Sequence, residues 1–235
     1  MLPESESLIN VLDHGFVRLV EYVGSDLSII RAARVSYNAD WRTGEDEGKD
    51  TKLIHYLLRN NHTSPFESVI FTFEIKCPIF VARQWHRHRT WAYNEVSARY
   101  TELPEEYYIP EPQKITSQSK DNKQMRTEEQ HPDATYIKDQ LELNHSEAFK
   151  VYKDLLQVGC PRELARTVLP LATYTRYFGT VSLHNLLHFL RLRTHIHAQY
   201  EIRVYAEAIK TLIFSVVPVT MNAFDKLEWK SESGL

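Results

Sequence analysis

The chain reads as an α+β domain in which an antiparallel sheet carries several long helices. Two observations predict this. Period-two stretches of apolar residues at 15–24, 69–77 and 173–182 are separated by stretches of helical period. The two kinds do not alternate strictly, as they would in a parallel α/β sheet. With 235 residues, 43% of them hydrophobic, the chain can bury a sizeable core as one large domain or two small ones.

The elements follow in order. GFVRLVEYVG (15–24) alternates and ends in glycine, which predicts a strand, and Ser25 or Asp26 can then cap a helix through LSIIRAARVSYN. A second helix is expected from about Glu45 to Asn60, with Leu53, Ile54, Leu57 and Leu58 on its buried face, and HTSPFES breaks it. Val69, Phe71, Phe73, Ile75 and Cys77 form the apolar face of the next strand. Pro78 opens a short helix, PIFVARQWHRHR. Residues 111–133 are polar and lack aromatics, which predicts a mobile surface loop. A helix to about Val158 follows. GCPRELARTVLP then begins another, with Pro161 at its first position and Arg162 and Arg166 four apart on one face. TYTRYFGTVS is a strand. SLHNLLHFLRLR is amphipathic, with Leu183, Leu186, Leu187 and Leu190 opposite His184, His188 and Arg191, and HAQYEIRVYAEAIKTLIFSVV is a last long helix.

Composition narrows the function classes. The formal net charge of −3 gives no basic excess for coating nucleic acid, so positive charge has to act locally. No apolar run approaches the ~18–20 residues needed to span a bilayer. The first fifteen residues are acidic and polar where a signal peptide is basic and then apolar, so a cytoplasmic protein is expected. Two cysteines, Cys77 and Cys160, are too few for a disulfide scaffold or a four-cysteine zinc site.

The chemistry concentrates in RHRTWAYNEVSARY (87–100), which holds Arg87, His88, Arg89, Asn94, Glu95, Ser97 and Arg99. Guanidinium groups suit bidentate recognition of phosphate. Arg166 and Arg193 extend the set, so a small ligand with several phosphates is the expected occupant. Three other readings compete. His184 and His188 at i, i+4 could ligate a metal in a nucleotide phosphohydrolase, but no HExxH pattern or cysteine pair completes such a site, and no metal is expected. RQWHRHR could serve a nucleic-acid-binding module, against the acidic balance. A catalytic cysteine is weakly supported, since Cys77 ends a strand and Cys160 stands beside a proline.

RHRTWAYNEVS has the form RHR, seven residues, then Ser, and resembles the signature motif of the flavin-dependent thymidylate synthases. RAARVSYN, HTSPFES, FVARQWHRHR, NEVSARY, ELARTVLPLATYTRYF and LRLRTHIHAQYEI are also similar to family segments and stand in the family's order, so the resemblance covers nearly the whole chain as one domain. It implies an enzyme that methylates dUMP to dTMP without a cysteine nucleophile. It further implies FAD as cofactor, with NADPH as reductant and methylenetetrahydrofolate as one-carbon donor, in a homotetramer whose active sites are shared between subunits.

By position, the resemblance implies that dUMP is held by Gln84, Trp85, His86, Arg87, Glu95, Val96, Ser97, Ala98, Arg99, Arg166 and Arg193. Ser97, Arg99 and the Ala98 amide take the phosphate. By the same resemblance, Arg193 is expected to engage the uracil near N3 and to be the catalytic residue. FAD falls to Ser36, His62, Ser64, Arg87, His88, Arg89 and Glu95. Many members read Asn, any residue, Arg before the helix that resembles NLLHFL, where this chain has Ser182, Leu183 and His184. The resemblance then implies that Ser182, His184 and His188 replace the usual FAD contacts.

Overall fold

The computed structural model describes residues 7–38, 47–120, 122 and 125–227. Strands β1 (Leu8–Val11), β2 (Gly15–Val23), β3 (Ile70–Pro78), β4 (Ala92–Glu95) and β7 (Tyr174–Ser182) form one antiparallel sheet, ordered β1-β2-β3-β7-β4. A separate hairpin pairs β5 (Thr116–Gln118) with β6 (Arg126–Gln130). The helices are α1 (Asp26–Val35), α2 (Glu47–Arg59), α3 (Ile79–Trp85), α4 (Ala134–Gln157), α5 (Arg162–Ala165), α6 (Leu183–Arg193), α7 (Tyr200–Phe214) and α8 (Pro218–Lys226). The expected α+β architecture with an antiparallel sheet is therefore present.

Alternation along β3 and β7 decides which face is covered. Phe71, Phe73, Ile75 and Cys77 are wholly buried, as are Tyr177 and Val181 to within 2%, and they meet the apolar stripes of α6 and α7 in one core. Each large apolar side chain taken from water contributes about 1.5–3 kcal/mol, so this layer fixes the register of the sheet. The β3–β7 pairing runs from Ile70 opposite Ser182 to Pro78 opposite Tyr174, so α3 and α6 leave the sheet at opposite ends. The eleven residues of α6 then run about 16 Å back across the core. That return brings Arg193, its last residue, to the end of α3.

Five stretches depart from expectation. The alternation of LINV adds β1 as an edge strand, which the sequence reading did not anticipate. Helix α3 stops at Trp85, leaving the basic RHR triplet outside it, and the Tyr93 hydroxyl lies 3.2 and 3.1 Å from the carbonyls of Trp85 and His88. Its single proton is shared between the last carbonyl of the helix and that of the turn after it. Pro161 is the cap of α5 and not its first residue, and the helix lasts one turn before a 3-10 turn, Arg166–Val168. Leu169 is extended, as a residue before proline is pushed to be. The polar stretch 111–133, expected as a loop, contains the β5–β6 hairpin, and the expected last helix is confined to Tyr200–Phe214, with α8 following beyond it from Pro218. The first two residues of the expected helix from Glu45 lie outside the described residues.

Candidate active site

Beneath RHRTWAYNEVSARY lies an aromatic floor. Trp85 is wholly buried and stacks on Phe189 with centroids 4.8 Å apart, and Trp91, Tyr177 and Tyr205 meet its ring edge-on at 5.7, 5.9 and 6.1 Å. Gly179 makes room for this, because a Cβ there would sit 3.0 Å from the Trp91 ring. The Trp85 side chain therefore shapes the site from below and does not line its surface. The floor holds α3, α6 and β4 in fixed relation, so polar groups on their rims keep their spacing.

The first polar group joins Gln84, His88 and Arg193. Arg193 Nε donates to His88 Nε2 at 3.0 Å, and its Nη2 donates to the Gln84 carbonyl at 3.4 Å. Burial pushes His88 down to about 4, helped by the positive charges of Arg193 and His188. A neutral imidazole is what an accepting Nε2 requires. Burial also lowers Arg193 from its ordinary value, but a guanidinium stays charged at neutral pH. Arg193 is thus a half-buried cation whose plane is set by two acceptors. The His188 ring lies 6.1 Å from that of His88, on the exposed side of α6.

The second group is a turn. The Ser97 carbonyl accepts from the amides of Tyr100 and Thr101 at 3.0 and 3.1 Å, and Ser97 Oγ accepts the Arg99 amide at 3.3 Å. The hydroxyl proton of Ser97 is therefore available to an anion, and the Ala98 N–H makes no hydrogen bond among the described residues. Arg99 pairs with Glu163 at 3.3 Å, and Arg166 Nε donates to the Glu163 carbonyl at 3.4 Å. Both members of the Arg99–Glu163 pair are more than half exposed. Such a pair contributes only about 0–1 kcal/mol, so a phosphate can displace it at little cost. The Ala98 amide and the Ser97 hydroxyl, with two guanidiniums, make an anion cradle.

Between the groups, Glu95 accepts from the Thr175 hydroxyl at 2.5 Å and Val96 N–H donates to the Arg176 carbonyl at 2.9 Å, which hold β4 on β7. His86 packs on Tyr93 and Tyr177 with centroids 4.4 and 5.3 Å apart, and its Nε2 is buried with no partner among the described residues. Burial lowers His86, with Glu95 pulling it up and Arg83 down.

The remaining expected residues lie on three neighbouring elements. Ser36 ends α1, and His62 and Ser64 lead into the 3-10 turn Ser64–Ser68, which packs against both α1 and α6. Ser182 caps the start of α6, with Asn185 donating to its hydroxyl at 3.2 Å, and His184 follows in the first turn. Arg87 and Arg89 are exposed and form no ion pair among the described residues. Serine hydroxyls, imidazoles and two unengaged guanidiniums make a donor set that fits a pyrophosphate-bearing cofactor. Among the described residues no three His, Cys, Asp or Glu side chains gather as a metal-ligand set. Cys77 is wholly buried, and burial pushes its thiol well above the usual range.

A family model described as thymidylate synthase complementing protein matches residues 18–219. A curated relative from Ehrlichia ruminantium (strain Gardel), called flavin-dependent thymidylate synthase, is 47% identical over 99% of this chain and 79% of its own length. The chain belongs to the flavin-dependent thymidylate synthase family. Similarity to other flavin-dependent thymidylate synthases reaches 49% over 93% of the chain for the protein of Treponema denticola, of which 82% is covered. For the Thermotoga neapolitana protein it is 46% over 95% of the chain and 97% of the relative. Among solved structures, a UMP/dUMP methylase, PolB, from Streptomyces cacaoi bound with 5-Br dUMP aligns at a TM-score of 0.84. It is 36% identical and the alignment covers 92% of this chain and 97% of that one.

Sequence reasoning missed several residues of this flavin-dependent thymidylate synthase fold. Glu163 links Arg99 to Arg166, Thr175 binds Glu95, and Gln199 and Glu201 stand behind Gln84. One signal was available. Glu201 falls on the stripe of α7 shared by Tyr205, Ala208 and Leu212, and a charge on an apolar stripe marks a paired buried group.

Proposed function

We propose that this enzyme is a flavin-dependent thymidylate synthase that methylates dUMP to dTMP reductively. It takes the one-carbon unit from methylenetetrahydrofolate, uses NADPH as reductant through FAD, and releases tetrahydrofolate in de novo dTMP synthesis. The observation that carries this reading is the half-buried Arg193 cation, oriented by His88 and the Gln84 carbonyl; the turn at Ser97–Arg99 adds an anion cradle. Family membership and the solved dUMP methylase support it.

In this reading Ser97, the Ala98 amide, Arg99 and Arg166 receive the phosphate, with Glu163 yielding its ion pair to the incoming anion. Gln84, His86, Arg87, Glu95 and Val96 line the nucleotide, and Trp85 supports them from beneath. Arg193 faces the N3 and O2 edge of the uracil. A fixed cation there stabilises negative charge in the ring and makes C5 nucleophilic without attack at C6. Neutral His88 holds the guanidinium in that plane by accepting from Nε. Bound FAD supplies the redox chemistry. Ser36, His62, Ser64, Arg87, His88, Arg89, Glu95, Ser182, His184 and His188 are the residues that hold it. The protein's own task is to position and polarise.

The enzyme works in this reading as a cytoplasmic homotetramer, with sites assembled from more than one subunit. Two unpaired cysteines suit a reducing compartment, and no helix among the described residues is long and apolar enough to cross a membrane. The test is spectroscopic. Protein purified natively or after addition of FAD is expected to show flavin absorbance that NADPH bleaches without oxygen. A colourless protein that ignores added FAD and carries stoichiometric zinc or iron overturns the reading in favour of a metal-dependent phosphohydrolase.

A further inference from the structure

Glu201 is only 2% exposed, and its carboxylate has three donors around it. Arg126 Nη2, from β6, lies 2.8 Å from Oε1, and the Tyr108 hydroxyl lies 3.4 Å from the same oxygen. Gln199 Nε2 donates to Oε2 at 2.8 Å. An ionised carboxylate can only accept, so Gln199 must turn its NH2 group inward and its carbonyl outward. The outward Gln199 Oε1 accepts from Gln84 Nε2. Gln84 in turn must spend an N–H on this bond, which leaves its carbonyl oxygen available. The donor–acceptor sense of two side-chain amides, ordinarily ambiguous, is thus dictated from the buried end. The Gln84 backbone carbonyl meanwhile accepts from Arg193 Nη2 at 3.4 Å, so the relay ends beside the proposed catalytic cation.

We propose that Glu201 is a positioning residue for the nucleotide site. Through Gln199 its carboxylate fixes Gln84 so that the Gln84 carbonyl oxygen accepts an N–H or O–H of dUMP. The proposal rests on the reading of Gln84 as a dUMP contact and adds a residue two steps behind it. The same carboxylate anchors the β5–β6 hairpin. Arg126 passes over the Tyr200 ring at 5.7 Å and its Nη1 donates to the Lys114 carbonyl at 3.3 Å, while Lys114 Nζ lies 4.5 Å from the same ring. The docked hairpin and the ordered amide relay therefore depend on one buried charge.

A double-mutant cycle on dUMP affinity, read by titration calorimetry on the full-length protein, tests this. Glu201→Gln keeps shape but can both donate and accept, so the relay loses its fixed sense. The dissociation constant for dUMP is expected to rise about tenfold, within the range of coupling across one hydrogen-bond network. Gln84→Ala raises it as well, and adding Glu201→Gln to Gln84→Ala costs nothing further. Gln199→Ala, at an exposed position, cuts the relay without touching the buried carboxylate and is expected to match Glu201→Gln, which keeps the test decisive where Glu201→Gln folds poorly. Penalties that multiply in the Glu201–Gln84 double variant overturn the relay and leave Glu201 a purely structural group. Unchanged affinity in Gln84→Ala also overturns the relay while leaving dUMP binding intact. A wild-type protein that does not bind dUMP at all instead overturns the reading of the site.

Discussion

Truncating Arg193 to alanine removes a cation whose direction two acceptors define, His88 Nε2 at 3.0 Å and the Gln84 carbonyl at 3.4 Å. Neither acceptor is a carboxylate, so the charge is not neutralised where it stands and remains available to a ring that becomes anionic. A preorganised donor of this kind, withdrawn from a developing negative charge, costs about 2.7–4 kcal/mol, or about 100- to 1,000-fold in kcat. Binding of ground-state dUMP should suffer less, because the phosphate cradle at Ser97 and Arg99 is untouched and the neutral uracil gains less from a cation. Lysine restores the charge as a point but cannot donate in two fixed directions, so Arg193→Lys should recover only part of the rate. The assay is dTMP formation at saturating dUMP and saturating reductant, with the dUMP dissociation constant measured in parallel. An Arg193→Ala enzyme that keeps kcat within about twofold, or about 0.4 kcal/mol, removes Arg193 from the mechanism.

Three further outcomes follow from the same geometry. Ser97→Ala loses one hydroxyl donor to the phosphate and should weaken dUMP binding by about 1.5–3 kcal/mol with turnover persisting at saturation; normal FAD and dUMP binding with no dTMP formed would point to covalent attack by Ser97. Cys77→Ala with Cys160→Ala should retain thymidylate synthesis and lose on the order of 1 kcal/mol of stability from the buried Cys77 site; a folded, FAD-binding double variant that is inactive restores a thiol nucleophile. Because burial holds His88 near 4, below its ordinary 6.5, the unfolded chain takes up this proton first as pH falls. Its contribution to stability is thus present above about pH 6.5 and is lost as pH drops towards 4, so the urea midpoint should fall from pH 7 to pH 5 by less in His88→Gln than in the wild type; equal falls would show that His88 is not the group responsible.

The sheet was legible because β3 alternates over most of its length, β7 over its second half and β2 over its first five residues, which puts Val17, Leu19, Phe71, Phe73, Ile75, Tyr177 and Val181 inside. Strand β4 was not legible. AYNE has one half-buried residue, Tyr93, and is held on β7 by the fit of Trp91 over Gly179 and by the Thr175–Glu95 and Val96–Arg176 hydrogen bonds, contacts between segments far apart in sequence. The β5–β6 hairpin escaped for a similar reason, since its polar strands have no alternation and it docks through Arg126, Lys114 and Tyr200. Within the site, the residues of the quoted motif were legible as a cluster, and Arg193 by resemblance. What was not legible is who orients them. Glu163, Gln199 and Glu201 touch the site through other side chains, and only Glu201 left a trace, as a charge on the apolar stripe of α7.

The central claim is that this chain carries a methylene carbon from folate to C5 of dUMP without a cysteine. The measurement that meets it most directly uses the purified protein lacking both thiols, Cys77→Ala with Cys160→Ala, loaded with FAD. It is supplied with NADPH, dUMP and methylenetetrahydrofolate labelled with carbon-13 at the transferred position, and the nucleotide is analysed by mass spectrometry. The account predicts dTMP carrying the label in its 5-methyl group and tetrahydrofolate as the folate product. Unlabelled dUMP recovered from a folded enzyme whose FAD is demonstrably reduced would contradict it.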